Sequence, residues 1–134
     1  GGDIVWIYIK VDKDKDGKEI ISDAKFETFG CVVAVAISSM VTEMIKRKSI
    51  EEALKLTDND ILKKLSRPLP PSKLFCSVLG AEAVHEAIYD YYVREKKPIP
   101  ESLKIEHEKI RRAPEYLEEW YKDTLEKETE LQSL

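Results

Sequence analysis

A chain of 134 residues and 15.4 kDa fits one domain of ordinary size and leaves no room for a second large one. Hydrophobic residues make up 43% and the five glycines bring the apolar share to about 47%, which argues against disorder, while two cysteines are too few for a disulfide scaffold. With 22 basic and 26 acidic side chains the net charge is −4, so the whole chain repels a phosphate backbone and nucleic acid is not an expected partner. No run reaches the roughly 18 consecutive apolar residues of a membrane helix, and Gly1-Gly2-Asp3 lacks the basic start of a secretion signal. The expectation is a soluble, cytoplasmic protein with no membrane partner. The chain opens on Gly1-Gly2 rather than Met, as a processed or shortened product would.

Ile4 to Val11 alternates, with Val5, Ile7, Ile9 and Val11 on one side and Trp6, Tyr8 and Lys10 on the other, the pattern of a strand. Asp12 to Glu19 has turn chemistry around Gly17, and Ile21 to Phe29 alternates again, so the two strands should form an antiparallel hairpin. Pairing residues whose numbers sum to about 31 puts Asp3 across from about Thr28 and brings Asp3, Gly30 and Cys31 to one end. The Asp12-x-Asp14-x-Asp16-Gly17 run mimics the start of a calcium loop, but position twelve is Asp23 within a strand, so a solvated turn is expected.

From Cys31 to Arg47, Val33, Ala36, Ile37, Met40, Val41, Met44 and Ile45 step as a helical stripe. Ser49-Ile-Glu-Glu52 and Thr57-Asp-Asn-Asp60 have capping spacing and open two short helices, the second running to about Leu65. Pro68, Pro70 and Pro71 impose an extended segment through Lys73, after which Ser77 is placed as the cap of a helix carrying Val84, Ala87, Ile88 and Tyr91 on one face. Lys97-Pro98-Ile-Pro100 punctuates again. Residues 101–134 hold 10 acids and 6 bases, which accounts for the whole net charge, and Tyr116, Leu117, Trp120, Tyr121 and Leu125 share a helical side there. The division drawn is a body over 1–97 and an acidic helical extension over 98–134.

Cys31 and Cys76 both fall where an extended segment meets a helix start, a setting whose free N–H groups favour a thiolate and lower its pKa. Thiolates bind metals and attack sulfur. The plain alternative is two small buried residues, and a structural disulfide is disfavoured because nothing signals secretion. Asp3 matters only for its company, since an Asp beside Gly is usually a solvated strand end. His85, nine residues past Cys76, lies about two and a half turns away and is too far to complete a metal site simply.

Asp3, Ala24-Lys-Phe-Glu-Thr-Phe-Gly-Cys31, Ser38-Ser-Met-Val-Thr-Glu43, Ser49-Ile-Glu-Glu-Ala-Leu54, Leu69-Pro-Pro-Ser-Lys73 and Cys76-Ser77 together resemble the IscU/NifU-type iron-sulfur cluster assembly scaffold over about Gly2 to Val93. The resemblance implies a non-enzymatic scaffold on which sulfur from a cysteine desulfurase and iron are joined into a [2Fe-2S] cluster and passed to apo-protein acceptors. It implies Asp3, Cys31 and Cys76 as ligands of iron, with zinc as a substitute. Gly1 stands where the family has a further cysteine and Phe75 where it has a histidine. Leu69, Pro70, Pro71 and Lys73 match a segment that an Hsp70-type chaperone recognises in some lineages, although Ser72 departs from it; a rigid connector delivering Cys76 explains the same residues. Self-association as a homo-oligomer is compatible with such a scaffold.

The implied architecture is α+β and SufE/NifU-like: an antiparallel sheet, either the hairpin alone or three-stranded with a strand from upstream, packed against the Cys31 and Cys76 helices. Two other classes compete with the scaffold. A degenerate scaffold-fold adaptor would bind assembly partners without holding a cluster. A thiol-transfer enzyme would use Cys76 as nucleophile, but no His and Asp are spaced to serve it.

Overall fold

The computed structural model describes residues 3–110, divided after Pro98 into two compact units. Strands β1 (Ile4–Lys13) and β2 (Glu19–Phe29) form an antiparallel hairpin, followed by α1 (Val32–Ile45), α2 (Ile50–Leu54), α3 (Asp58–Lys64), a 3₁₀ turn (Pro71–Lys73) and α4 (Phe75–Arg94). This is an α+β fold. In the second unit a helix covers 101–110 after Pro100, whose carbonyl accepts from the Leu103 and Lys104 amides. The apolar positions Tyr116 to Leu125 lie outside the described residues.

The hairpin register sums to 33 from Ile4↔Phe29 to Lys10↔Asp23 and to 32 from Val11↔Ile21 to Lys13↔Glu19. The expected sum of 31 is therefore corrected, and Asp3 comes opposite Gly30 rather than Thr28. The turn is centred later than the charged run suggests: Asp14 N donates to the Lys18 carbonyl at 2.9 Å, and Gly17 takes the positive φ of 79° that closes such a loop. The Asp14 carboxylate accepts from the Asp16 and Lys18 amides at 2.9 Å each, so the acidic run is a hairpin turn. A register shift at Lys10/Val11 leaves Ser22 as the extra residue of a bulge, and this is why Ile21 and Ala24, three apart, are both buried.

Beyond β1, β2 gains backbone partners from the loop after α1. Arg47, at φ 68°, donates to the Ile21 carbonyl, the Ile21 amide donates to Lys48, and Ile20 bridges Ser49. Among the described residues the sheet has two strands, with this loop sealing one end of β2.

The inner face of the hairpin sits on two helices, β2 on α1 and β1 on α4, and the helices pack on each other. Ile7, Ile21, Ile37, Val41, Ile45, Val84 and Ile88 fill the interior, each stabilising by about 1.5–3 kcal/mol relative to exposure. The buried stripe of α1 is Ala34, Ile37, Ser38, Val41, Thr42 and Ile45, turned from the expected one so that Ala36 is exposed. The hydroxyls permit this: Ser38 donates to the Ala34 carbonyl and Thr42 to that of Ser39, both at 2.7 Å, so neither is buried unsatisfied.

The caps at Ser49 and Thr57 form as the spacing requires, with Thr57 and Asp60 in a reciprocal capping box. Two local expectations need correction. The proline segment stays extended only to Pro70 and then tightens into the 3₁₀ turn. Ser77 is not a cap but lies inside α4, its hydroxyl donating to the Leu74 carbonyl at 2.7 Å, so Cys76 is already helical. No helix among the described residues is long and apolar enough to cross a membrane.

Candidate metal centre

Three parts of the chain meet at the open end of the hairpin. Asp3 leads β1, Cys31 occupies the N-cap of α1, and Cys76 is the second residue of α4. The Cys31 side chain makes no cap hydrogen bond, which leaves its sulfur turned to the Asp3 carboxylate: Sγ donates to Oδ2 at 3.3 Å. Cys76 Sγ approaches the same oxygen at 3.9 Å. One ligand atom from each of the three lies within 4.8 Å of the others, although Asp3 and Cys76 are 73 positions apart. Around a tetrahedral metal with bonds of about 2.0–2.3 Å, neighbouring donors stand about 3.5–3.8 Å apart, so the triad has nearly the spacing of one face of such a site.

Gly30 makes the approach possible. A Cβ there would stand 2.6 Å from both Cγ and Oδ1 of Asp3, closer than any normal contact. The requirement is steric; the glycine supplies the room that Asp3 needs to reach Cys31.

Electrostatics correct one expectation. Cys76 is buried and its thiol is not acidified by the helix start; burial first, then the neighbouring Cys31 and the Asp3 carboxylate, push it up to about 11, with Lys73 pulling the other way. Without a cation the pocket keeps this sulfur protonated, and a bound metal would supply the missing positive charge and displace the proton. Lys73 thus stands close enough to act on Cys76, a proximity readable in the sequence from their three-residue separation at the helix start.

Phe75 occupies the first position of α4 beside Cys76, 38% exposed, and offers no donor atom. Gly1 lies outside the described residues. Leu69 and Lys73 are half-buried, while Pro70 and Pro71 are exposed. His85 is on α4 and His107 in the helix over 101–110, and neither belongs to the triad. Phe29 and Val32, within two residues of Cys31 in the chain, and Leu74 and Val78, within two residues of Cys76, are exposed apolar side chains.

An α+β domain that lays a hairpin over two helices and gathers two thiols and a carboxylate at their common end is built to present soft and hard donors together. The chain belongs to the NifU-like N-terminal domain family, whose model matches residues 1–112. It is 50% identical over 99 residues to iron sulfur cluster assembly protein 1 of Encephalitozoon cuniculi, covering 74% of this chain and 66% of that protein. It is also 50% identical over 98 residues to the iron-sulfur cluster assembly enzyme IscU of Drosophila melanogaster, covering 73% and 60%. With the iron-sulfur cluster assembly scaffold protein IscU of Aquifex aeolicus it shares 45% over 104 residues, covering 78% and 63%. The matches thus span about 60–66% of the length of these relatives.

Proposed function

We propose that this chain is an iron-sulfur cluster assembly scaffold whose cargo is held by Asp3, Cys31 and Cys76. The observation that carries the reading is the convergence of these three donors from distant parts of the chain within 4.8 Å. Two thiolates suit iron and sulfide, or zinc in their place, and the carboxylate is the harder, more easily exchanged ligand. A site meant to release what it builds gains from such a bond. Three donors do not close a tetrahedral metal, so the fourth position belongs to sulfide, water or a partner's side chain.

In this reading a cysteine desulfurase delivers sulfur at the persulfide level and ferrous iron enters beside Asp3. Each sulfur takes two electrons to become sulfide, one from iron as it goes from ferrous to ferric and one from excess external thiol, and the resulting [2Fe-2S] cluster is passed to apo-proteins. The chain contributes ligands and their spacing, with no turnover chemistry of its own. Leu69, Pro70, Pro71 and Lys73 are the contact for an Hsp70-type chaperone, supported by the exposure of the two prolines beside the site. Residues 98–134 are read as an acidic extension to the scaffold body over 1–97.

Anaerobic incubation of the full chain with ferrous iron, cysteine and a desulfurase is expected to produce visible-range cluster absorption, and Cys31→Ala or Cys76→Ala to abolish it. Failure of the unaltered chain to develop that absorption, while still binding the desulfurase, would favour the second reading. In that reading the chain is an adaptor with a degenerate site, which Phe75 beside Cys76 favours because it removes a donor position.

A further inference from the structure

The far end of α1 carries a second feature. Met44 and Ile45, the last residues of α1, face α2 and α3 across a groove of about 530 Å³ floored by Ala53 and Leu56. Along α1, Met44 is 13 positions from Cys31, about 20 Å away, so this groove is separate from the thiol site. Its rim is basic. Lys48, Lys55, Lys63 and Lys64 line it and all four are exposed.

The two carboxylates of the lining are already engaged. Asp60 accepts from the Thr57 amide at 3.0 Å, and Glu52 accepts from the Ser49 hydroxyl at 3.1 Å, so both serve helix caps. Lys48, Lys55 and Lys64 form no ion pair with any described residue, in contrast to Lys46 nearby, which bridges to Glu43 at 2.8 Å. Residues 1–100 carry as many acids as bases, so four lysines whose two neighbouring carboxylates already serve helix caps make this groove more basic than the body that holds it.

We propose that this groove docks an acidic peptide segment of a partner protein, with its carboxylates on the lysines and an apolar side chain between them on Met44 and Leu56. Charge complementarity selects the acidic partner. The apolar floor selects a peptide over a compact phosphate: Met44, Ala53 and Leu56 between the lysines offer a phosphate nothing to bond, whereas they can bury an apolar peptide side chain. Met44, half-buried at the rim and unbranched, adapts to an apolar side chain of varied shape.

The test is fluorescence anisotropy on the full chain with a fluorescein-labelled synthetic peptide that bears Glu on one helical face and Leu on the other. Saturable binding is expected that weakens as salt rises, falls by about tenfold or more in the Lys55→Glu/Lys64→Glu double variant, and is lost when the peptide's Glu residues become Gln. Both lysines are exposed, and an unchanged thermal midpoint confirms that the variant folds. Absence of saturable binding, equal binding of the Gln peptide, or retention of binding in the double variant overturns the proposal. So does displacement of the peptide by stoichiometric inorganic pyrophosphate, which would assign the lysines to a phosphate ligand. Cluster formation at Cys31 and Cys76 is indifferent to every arm, so this test and that of the scaffold reading fail independently.

Discussion

Gly30 and Asp3 show how one missing Cβ can decide what a site is able to hold. With 2.6 Å between a hypothetical Cβ and the Asp3 carboxyl, Gly30→Ala must push that carboxylate away from Cys31, while the backbone, not at positive φ, tolerates alanine. The expected result is weaker metal binding with little change in thermal stability, measured as zinc affinity in competition with a chromophoric chelator alongside a melting curve. An unchanged affinity would mean that Asp3 does not contribute a ligand from its observed position. The thiols, in turn, show the limit of local reasoning. A cysteine at a helix start reads as acidic from sequence, but burial among negative neighbours reverses the sign for Cys76.

At the scale of elements, the distance between α1 and α4 depends on Gly80. A Cβ there would meet Ile37 Cγ2 at 3.0 Å and Val41 Cγ2 at 3.3 Å, so the helices are about as close as a glycine contact allows. Gly80→Val is expected to destabilise by about 1–3 kcal/mol through overpacking, read as a shift of the urea midpoint at constant slope. The same contact sets the placement of Cys31 and Cys76, which open these two helices. Patterning made the helices and strands legible, and the caps at Ser49 and Thr57 were readable as spacing. The buried face of α1 was not, because Ser38 and Thr42 count as polar in sequence yet bond their own helix carbonyls. The bulge at Ser22 was equally hidden, since one extra residue shifts burial without altering composition.

At the scale of the whole first unit, hairpin and α4 are joined at both ends. At one end Asp3 meets Cys76; at the other Glu19, opening β2, accepts from the Tyr91 hydroxyl at 2.5 Å and is ion-paired with Lys97, whose ammonium lies 5.6 Å from the Tyr91 ring centre. Burial alone would raise the Glu19 pKa, but its bonds to Lys97 and Tyr91 outweigh that and hold it below the ordinary carboxylate value. Bonding to Glu19 raises Lys97, and burial followed by Glu19 raises Tyr91. A lowered carboxylate contributes stability above its unfolded pKa that is lost as pH falls through the folded one; the raised lysine and tyrosine contribute below theirs and lose it as pH climbs. The clasp is therefore fully stabilising only between about pH 4.5 and 10. Tyr91→Phe should cost about 1 kcal/mol near neutrality, and Glu19→Gln should flatten the acid limb of stability against pH, both followed by chemical denaturation. An acid limb unchanged in Glu19→Gln would show that the pair contributes nothing to the pH response.

The sequence by itself determined the hairpin, the helices, the capped turns and the family, because periodicity, turn chemistry and motif order are local properties carried along the chain. It also indicated that Asp3, Gly30 and Cys31 gather at one end, since a hairpin joins partners through a short loop. Only the tertiary structure brought Cys76 to them and Tyr91 and Lys97 to Glu19, and grouped four lysines around one groove. Those meetings depend on how β1 lies along α4 and how α1, α2 and α3 turn against one another. Packing over the whole core sets those angles, and no stretch of sequence carries them alone.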